Sequence, residues 1–132
     1  MTTKKDKTEN APSPLERAGV RLYHNTRCST SRNVCSILDT KKVKTEVIEY
    51  LNTPPTQKEI KSLLKMLGMK ASEIVRKKEP LYKEKYAGEK ITEAEWVKIL
   101  SQNPILIERP ILVKGDKAII GRPPERVLEF LK

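Results

Sequence analysis

Two cysteines, one histidine and 5% aromatic residues in 132 positions leave this chain short of several common kinds of chemistry. Two Cys and one His do not make the four-ligand pattern of a structural zinc site, so no metal is expected. Two cysteines are also too few for a disulfide framework, and in a reducing compartment a cysteine serves chemistry or packing. No apolar run approaches a membrane span. The opening Met-Thr-Thr-Lys-Lys-Asp-Lys lacks the apolar core of a secretory signal, and a cytoplasmic location is expected.

Charge is abundant and lopsided. Lys+Arg number 27 against 17 Asp+Glu, a net +10, which raises the question of an anionic partner. The lysines alternate with glutamates, as in Lys83-Glu84-Lys85, and few aromatics are interleaved to stack bases. A solvated basic surface is therefore expected, with no nucleic-acid and no membrane partner. Such a field still draws in a small oxyanion.

Residues 1–17 are polar, Pro-containing and nearly free of apolar side chains, so a disordered tail is expected. Residues 18–132 are long enough for one domain. Val20 to Tyr23 reads as a strand and Ser29 to Asp39 as a helix with Val34, Ile37 and Leu38 on its buried stripe. Thr45 to Tyr50 is a second strand, with Val47 alternating against Glu46 and Glu49. Strand, helix and strand at this spacing make a βαβ unit with parallel strands.

Thr56-Gln57-Lys58-Glu59 is a capping box leading a helix with Ile60, Leu63, Leu64 and Leu67 inward and a stop at Gly68. Two short helices are expected between Ala71 and Tyr86. Thr92-Glu93-Ala94-Glu95 caps another, with Trp96, Ile99 and Leu100 inward, ended by Asn103-Pro104. Ile111 to Val113 and Ala118 to Ile120 form a hairpin. Pro123 or Pro124 then opens a last helix with Val127, Leu128 and Leu131 toward the core.

Cys28 sits where the first strand and its polar turn give way to the first helix. Unpaired backbone N–H groups and the positive end of the helix dipole favour thiolate over thiol there. Arg27, Arg32 and His24 add positive or titratable groups nearby, so the stretch suits attack on an oxyanion or a disulfide.

The element order is that of thioredoxin-like folds, and five motifs narrow it: Tyr23-His24-Asn25-x-x-Cys28-Ser29-Thr30-Ser31-Arg32, Tyr50-Leu51-x-x-Pro54-Pro55, Ile74-Val75-Arg76-Lys77, Asn103-Pro104-Ile105-Leu106-Ile107-Glu108-Arg109-Pro110-Ile111 and Gly121-Arg122-Pro123-Pro124-Glu125. Together they resemble the glutaredoxin-coupled arsenate reductase family, from about Val20 to Lys132. The resemblance implies an α/β, thioredoxin-like fold: a four-stranded mixed sheet (βαβ then ββα) with helices on both faces and a helical insertion.

It further implies that Cys28 attacks arsenate to form a thiol–arsenate adduct, which glutathione and glutaredoxin then resolve. Arg76, Arg109 and Arg122 match the family's oxyanion-holding arginines, Pro110 its cis-proline, and Ser31 a hydroxyl able to bond the sulfur. Guanidinium groups suit a tetrahedral oxyanion because their N–H pairs bind it in a fixed fork. No tightly bound cofactor is implied; glutathione is a co-substrate and the protein is expected to act as a monomer.

Arg109 and Arg122 each precede a proline between apolar runs, an unusual place for a solvated arginine. Which cation of Arg76-Lys77-Lys78 serves the site stays open, as does His24, which either completes a turn or tunes the thiolate. Arg27 and Arg32 are expected in solvent. Cys35 follows Cys28 by seven residues, which on a helix separates their Cα atoms by roughly 10 Å, beyond the roughly 7 Å limit of a disulfide. A packing role is expected for Cys35.

Two other functions use similar parts. A glutathione-linked thiol oxidoreductase with another substrate keeps the scaffold and the thiol. A thioredoxin-fold transcription regulator typically carries C-x-x-C, where this chain has Ser31. A tyrosine-phosphatase loop needs C-x5-R, but Val34 stands at that position.

Overall fold

The computed structural model describes residues 19–132, so the tail expected over residues 1–17 lies outside the described residues. Strand β1 (Val20–Tyr23) leads to helix α1 (Ser29–Thr40) and strand β2 (Thr45–Ile48). Helices α2 (Gln57–Leu67), α3 (Pro80–Lys85) and α4 (Glu93–Gln102) follow, with 3-10 turns at Ala71–Ile74 and Pro104–Leu106. Strands β3 (Ile111–Lys114) and β4 (Lys117–Ile120) and helix α5 (Arg126–Phe130) complete the chain.

The strands form one mixed sheet in the order β2-β1-β3-β4. β1 runs parallel to β2, with Val20 opposite Thr45, and antiparallel to β3, with Tyr23 opposite Ile111. Strand periodicity then divides the core in two. Val20, Leu22 and Leu112 face α1 and α5, meeting Val34, Leu38 and Val127. Tyr23, Ile111, Val113 and Ile120 face the insertion, packing with Ile60, Leu63, Trp96 and Leu100. The expected thioredoxin-like arrangement is therefore present, helices on both faces included.

Both expected capping boxes close. Thr56 Oγ1 accepts from Glu59 N–H at 3.1 Å and Glu59 Oε1 accepts from Thr56 N–H at 3.1 Å; Thr92 and Glu95 repeat the pattern. Gly68 ends α2 in the left-handed conformation at φ 67°, which favours glycine. Thr56→Ala is expected to lower stability by about 1 kcal/mol, read as a lower urea midpoint with an unchanged slope.

Several expectations shift. β2 stops at Ile48 instead of Tyr50, and Val47 is 45% exposed because β2 is an edge strand with little above that face. Val97 is buried on α4, and Ile99 only partly so. The last helix starts at Arg126, after a turn in which Arg126 N–H bonds Pro123 O and Val127 N–H bonds Pro124 O. On that helix Val127 and Leu131 share a face, while Leu128, turned about 100° from Val127, is 38% exposed.

Two connections aim residues toward the N-terminus of α1. Val75 forms an isolated antiparallel bridge with Ile107, and Arg76 N–H bonds Leu106 O at 2.7 Å, setting Arg76 beside Glu108 and Arg109. Gly121 lies where β4 crosses the α1 side. A Cβ there would stand 3.0 Å from Val34 Cγ2 and 3.2 Å from Pro110 Cγ, so glycine permits the close approach that delivers Arg122.

Candidate active site

The turn after β1 is held from inside. His24 N–H bonds Ile48 O on β2, Asn25 Oδ1 accepts from Arg27 N–H at 2.9 Å, and Asn25 O accepts from Cys28 N–H at 3.0 Å. Ser31, fully buried, accepts Asn25 N–H at 3.0 Å on its Oγ and pairs that oxygen with His24 Nδ1 at 2.8 Å. Burial keeps the His24 pKa below its ordinary value, with Arg32 adding to that effect and Glu49 opposing it. His24 and Ser31 therefore brace the loop as a neutral pair.

This changes the part expected of Ser31. Its hydroxyl is engaged with His24 and Asn25, and it is the nearby Ser31 backbone N–H that favours the Cys28 thiolate. Cys28 is the N-cap of α1 with no side-chain cap bond, which leaves the sulfur facing the helix's free N–H groups. The thiol is only 8% exposed.

Burial pushes the Cys28 pKa up and is the largest single influence on it. The Ser31 N–H, Arg109 and the charge of Arg122 together outweigh it and hold the thiol below its usual value of 9.0. Arg122 Nη2 donates to Cys28 Sγ at 3.3 Å across 94 residues of sequence, while its Nε donates to Arg109 O at 2.8 Å. The helix terminus and two remote guanidiniums thus stabilise the same thiolate.

Arg76 completes a charged cluster with Arg109 and Arg122. Arg76 Nη1 donates to Glu108 Oε1 at 2.8 Å and its Nε to Glu79 Oε2 at 3.3 Å. Glu79 Oε2 also lies 3.6 Å from Arg109 Nη1, and Glu108 Oε1 3.6 Å from Arg122 Nε. Three guanidiniums against two carboxylates leave one net positive charge, with the arginines fixed in direction before any anion arrives. Lys77 and Lys78 are exposed, so Arg76 is the cation of that stretch that enters the cluster.

The neighbours in sequence do not enter it. Arg27 and Arg32 are exposed, Arg32 Nη1 bonding Thr26 O at 2.9 Å. The Arg109–Pro110 peptide is cis, and so is Arg122–Pro123. Cys28 and Cys35 are both free thiols, and Cys35 packs half-buried against the cluster beneath α1 and α5.

Three participants have no counterpart in the sequence reading. Glu79 and Glu108 orient the arginines; the only hints were Glu79 three residues after Arg76 and Glu108 directly before Arg109. The third is Tyr50, which appears above as the end of the second strand and as part of a motif. Its hydroxyl is buried without a hydrogen-bond partner, and so is Arg109 Nε. An unmet buried polar group costs about 1–3 kcal/mol, so two beside one nucleophile call for an acceptor from outside the protein.

The ArsC family model matches residues 23–130. An uncharacterized protein of Escherichia coli K12, YfgD, is 46% identical over 114 residues, covering 85% of this chain and 96% of its own length. The arsenate reductase of Haemophilus influenzae is 40% identical over 114 residues, covering 85% and 98%. The solved arsenate reductase of Vibrio cholerae superposes with a TM-score of 0.81 at 39% identity, covering 85% of this chain and 97% of its own. The match runs through the turn that holds Cys28 and the segments that deliver Arg76, Arg109 and Arg122, and the chain belongs to the ArsC family.

Proposed function

We propose that this protein is an oxidoreductase that reduces arsenate to arsenite through Cys28, with glutathione and glutaredoxin supplying the electrons. The observation that carries the reading is that Arg122, 94 residues away in sequence, donates to Cys28 Sγ, while Arg109 and the Ser31 N–H join it in holding the thiol's pKa down. That site holds a thiolate and offers charge for a tetrahedral oxyanion. A general disulfide exchanger has no need of such a clamp.

The Cys28 thiolate attacks arsenic, forming an S–As bond as one arsenate oxygen leaves as water. A glutathione thiol displaces a second oxygen, again as water. The glutaredoxin thiolate then attacks the glutathione sulfur, and the As–S electron pair stays on arsenic, taking As(V) to As(III). Two thiols have become one mixed disulfide, and hydrolysis of the remaining S–As bond releases arsenite and returns Cys28. Arg76, Arg109 and Arg122 offset the oxyanion charge, which is worth most in a partly water-excluded site. Lys77 and Lys78, with Arg76 and Arg122, outnumber Glu73 and Glu108 in the wall of a cleft of about 480 Å³, a net cationic approach for a thiol that carries carboxylates.

Arsenite formation by the full chain with glutathione and glutaredoxin tests this reading. Arsenite is expected from the wild type. None from the wild type, with glutathione-dependent disulfide reduction instead, would favour a thiol oxidoreductase of another substrate. In the same assay Cys35→Ser is expected to stay within about twofold of wild type, since Cys35 only packs and a conservative change away from the site costs little. A large loss would give Cys35 a part in the electron path.

A further inference from the structure

The Tyr50 hydroxyl has a setting that the cysteine and arginines do not explain. Because β2 ends at Ile48, the chain turns inward and Tyr50 is only 1% exposed, its ring in the core cluster under the insertion. The Arg109 charge acts on the hydroxyl, though the two make no hydrogen bond. Arg76 and Cys28 also lie within electrostatic reach. Burial above all, with Cys28 adding to it and the arginines opposing, pushes the phenol up to about 12. At neutral pH it is therefore a proton donor.

Within the protein this donor has no acceptor, and neither has Arg109 Nε. A core tyrosine whose ring merely fills space needs no hydroxyl, and phenylalanine would fill the same volume without stranding a polar group. Two unmet donors on groups beside a nucleophilic sulfur define a position where incoming lone pairs meet a ready partner. We propose that Tyr50 Oη is a further oxyanion-binding group, donating a hydrogen bond to an oxygen of the tetrahedral anion held at Cys28. Resting on the arsenate reading for its ligand, this adds a neutral donor to the three charged ones. Charge on the anion is met by arginine, and a phenol adds directional binding without adding to the site's positive charge.

The test compares Tyr50→Phe with its parent in a Cys28→Ser background, which stops turnover, using calorimetric titration with arsenate. Tyr50→Phe is expected to weaken arsenate binding about tenfold or more, the size of a hydrogen bond to a charged group. Its thermal midpoint without anion is expected not to fall, since the hydroxyl bonds nothing in the free protein. Equal arsenate affinity in the two proteins would overturn the proposal, as would a lowered anion-free midpoint with unchanged affinity. Tyr50-dependent arsenate binding, with no arsenite formed by the wild type, would support the contact while removing the reductase reading. Failure of the parent to bind arsenate would overturn both.

Discussion

Cys28→Ser is expected to lower arsenite formation by about three orders of magnitude or more while leaving the fold intact. The size follows from what the site can and cannot do for an oxygen nucleophile. The Ser31 N–H and the charges of Arg109 and Arg122 bring a thiol below its ordinary value, against the upward push of burial. A serine hydroxyl starts several units higher, so the same groups leave it protonated at neutral pH. His24, the nearest candidate base, is already engaged with Ser31. Without a nucleophile the arginines still bind the anion but have no adduct to stabilise, and loss of a nucleophile routinely costs at least this much. The checks are single-turnover arsenite formation and a thermal midpoint near that of wild type.

Arg109→Ala is expected to cost about a hundredfold to a thousandfold in kcat/KM, as removal of one preorganised donor to a developing oxyanion does elsewhere. Arg109 has the larger part in holding the Cys28 pKa down, whereas Arg122 adds its charge and the hydrogen bond from Nη2 at 3.3 Å. Truncation should leave the scaffold in place. Arg122 is anchored to the backbone carbonyl of residue 109, and Glu79 retains Arg76 at 3.3 Å. The variant therefore reports on chemistry more than on folding.

A pH profile separates the two ways Arg109 acts. The reactive form is the thiolate, so the rate rises as pH rises through the Cys28 pKa, which lies below 9.0 in the native site. Removing Arg109 removes two downward influences and leaves burial less opposed. The acid limb must then move to higher pH, and the variant must lose more at pH 6 than at pH 8. An unchanged limb with the same overall loss would confine Arg109 to binding the anion. Arg109→Lys is expected to recover the limb in part but little of the rate, because an ammonium restores charge without the paired N–H fork.

Cys28 was legible from its own neighbourhood because a strand, a polar turn and a helical stripe are local patterns. The turn fixes the sulfur at the helix N-terminus whatever the rest of the chain does. The charged neighbours Arg27 and Arg32 lie in solvent as expected, where long cationic side chains are best hydrated. The effective cations come from segments distant in sequence. Arg122 lies 94 residues from Cys28, and only the resemblance of whole motifs brought it and Arg109 into view.

Glu79 and Glu108 were hidden for a related reason. Each serves two arginines from different segments, a relation visible only after Val75 pairs with Ile107. Ser31 shows the limit of carrying over a role by position. A buried hydroxyl makes few bonds, and here its oxygen pairs with His24 Nδ1 and accepts from the Asn25 N–H. Tyr50 was lost through a boundary error of two residues, since a tyrosine closing a strand reads as core and one turned in after the strand faces the site. Val47 and Leu128 were misplaced because alternation and helical spacing say which residues share a face, not whether anything covers it.

In the proposed reaction the electrons for Cys28 come from outside the chain, since Cys35 is packed away on the α1 and α5 side. Steady-state arsenite production by the purified full chain, with glutathione and glutaredoxin in one arm and thioredoxin with its reductase in the other, measures this most directly. Sustained arsenite is predicted in the first arm, with no more than background in the second. Equal turnover with thioredoxin alone would contradict the account.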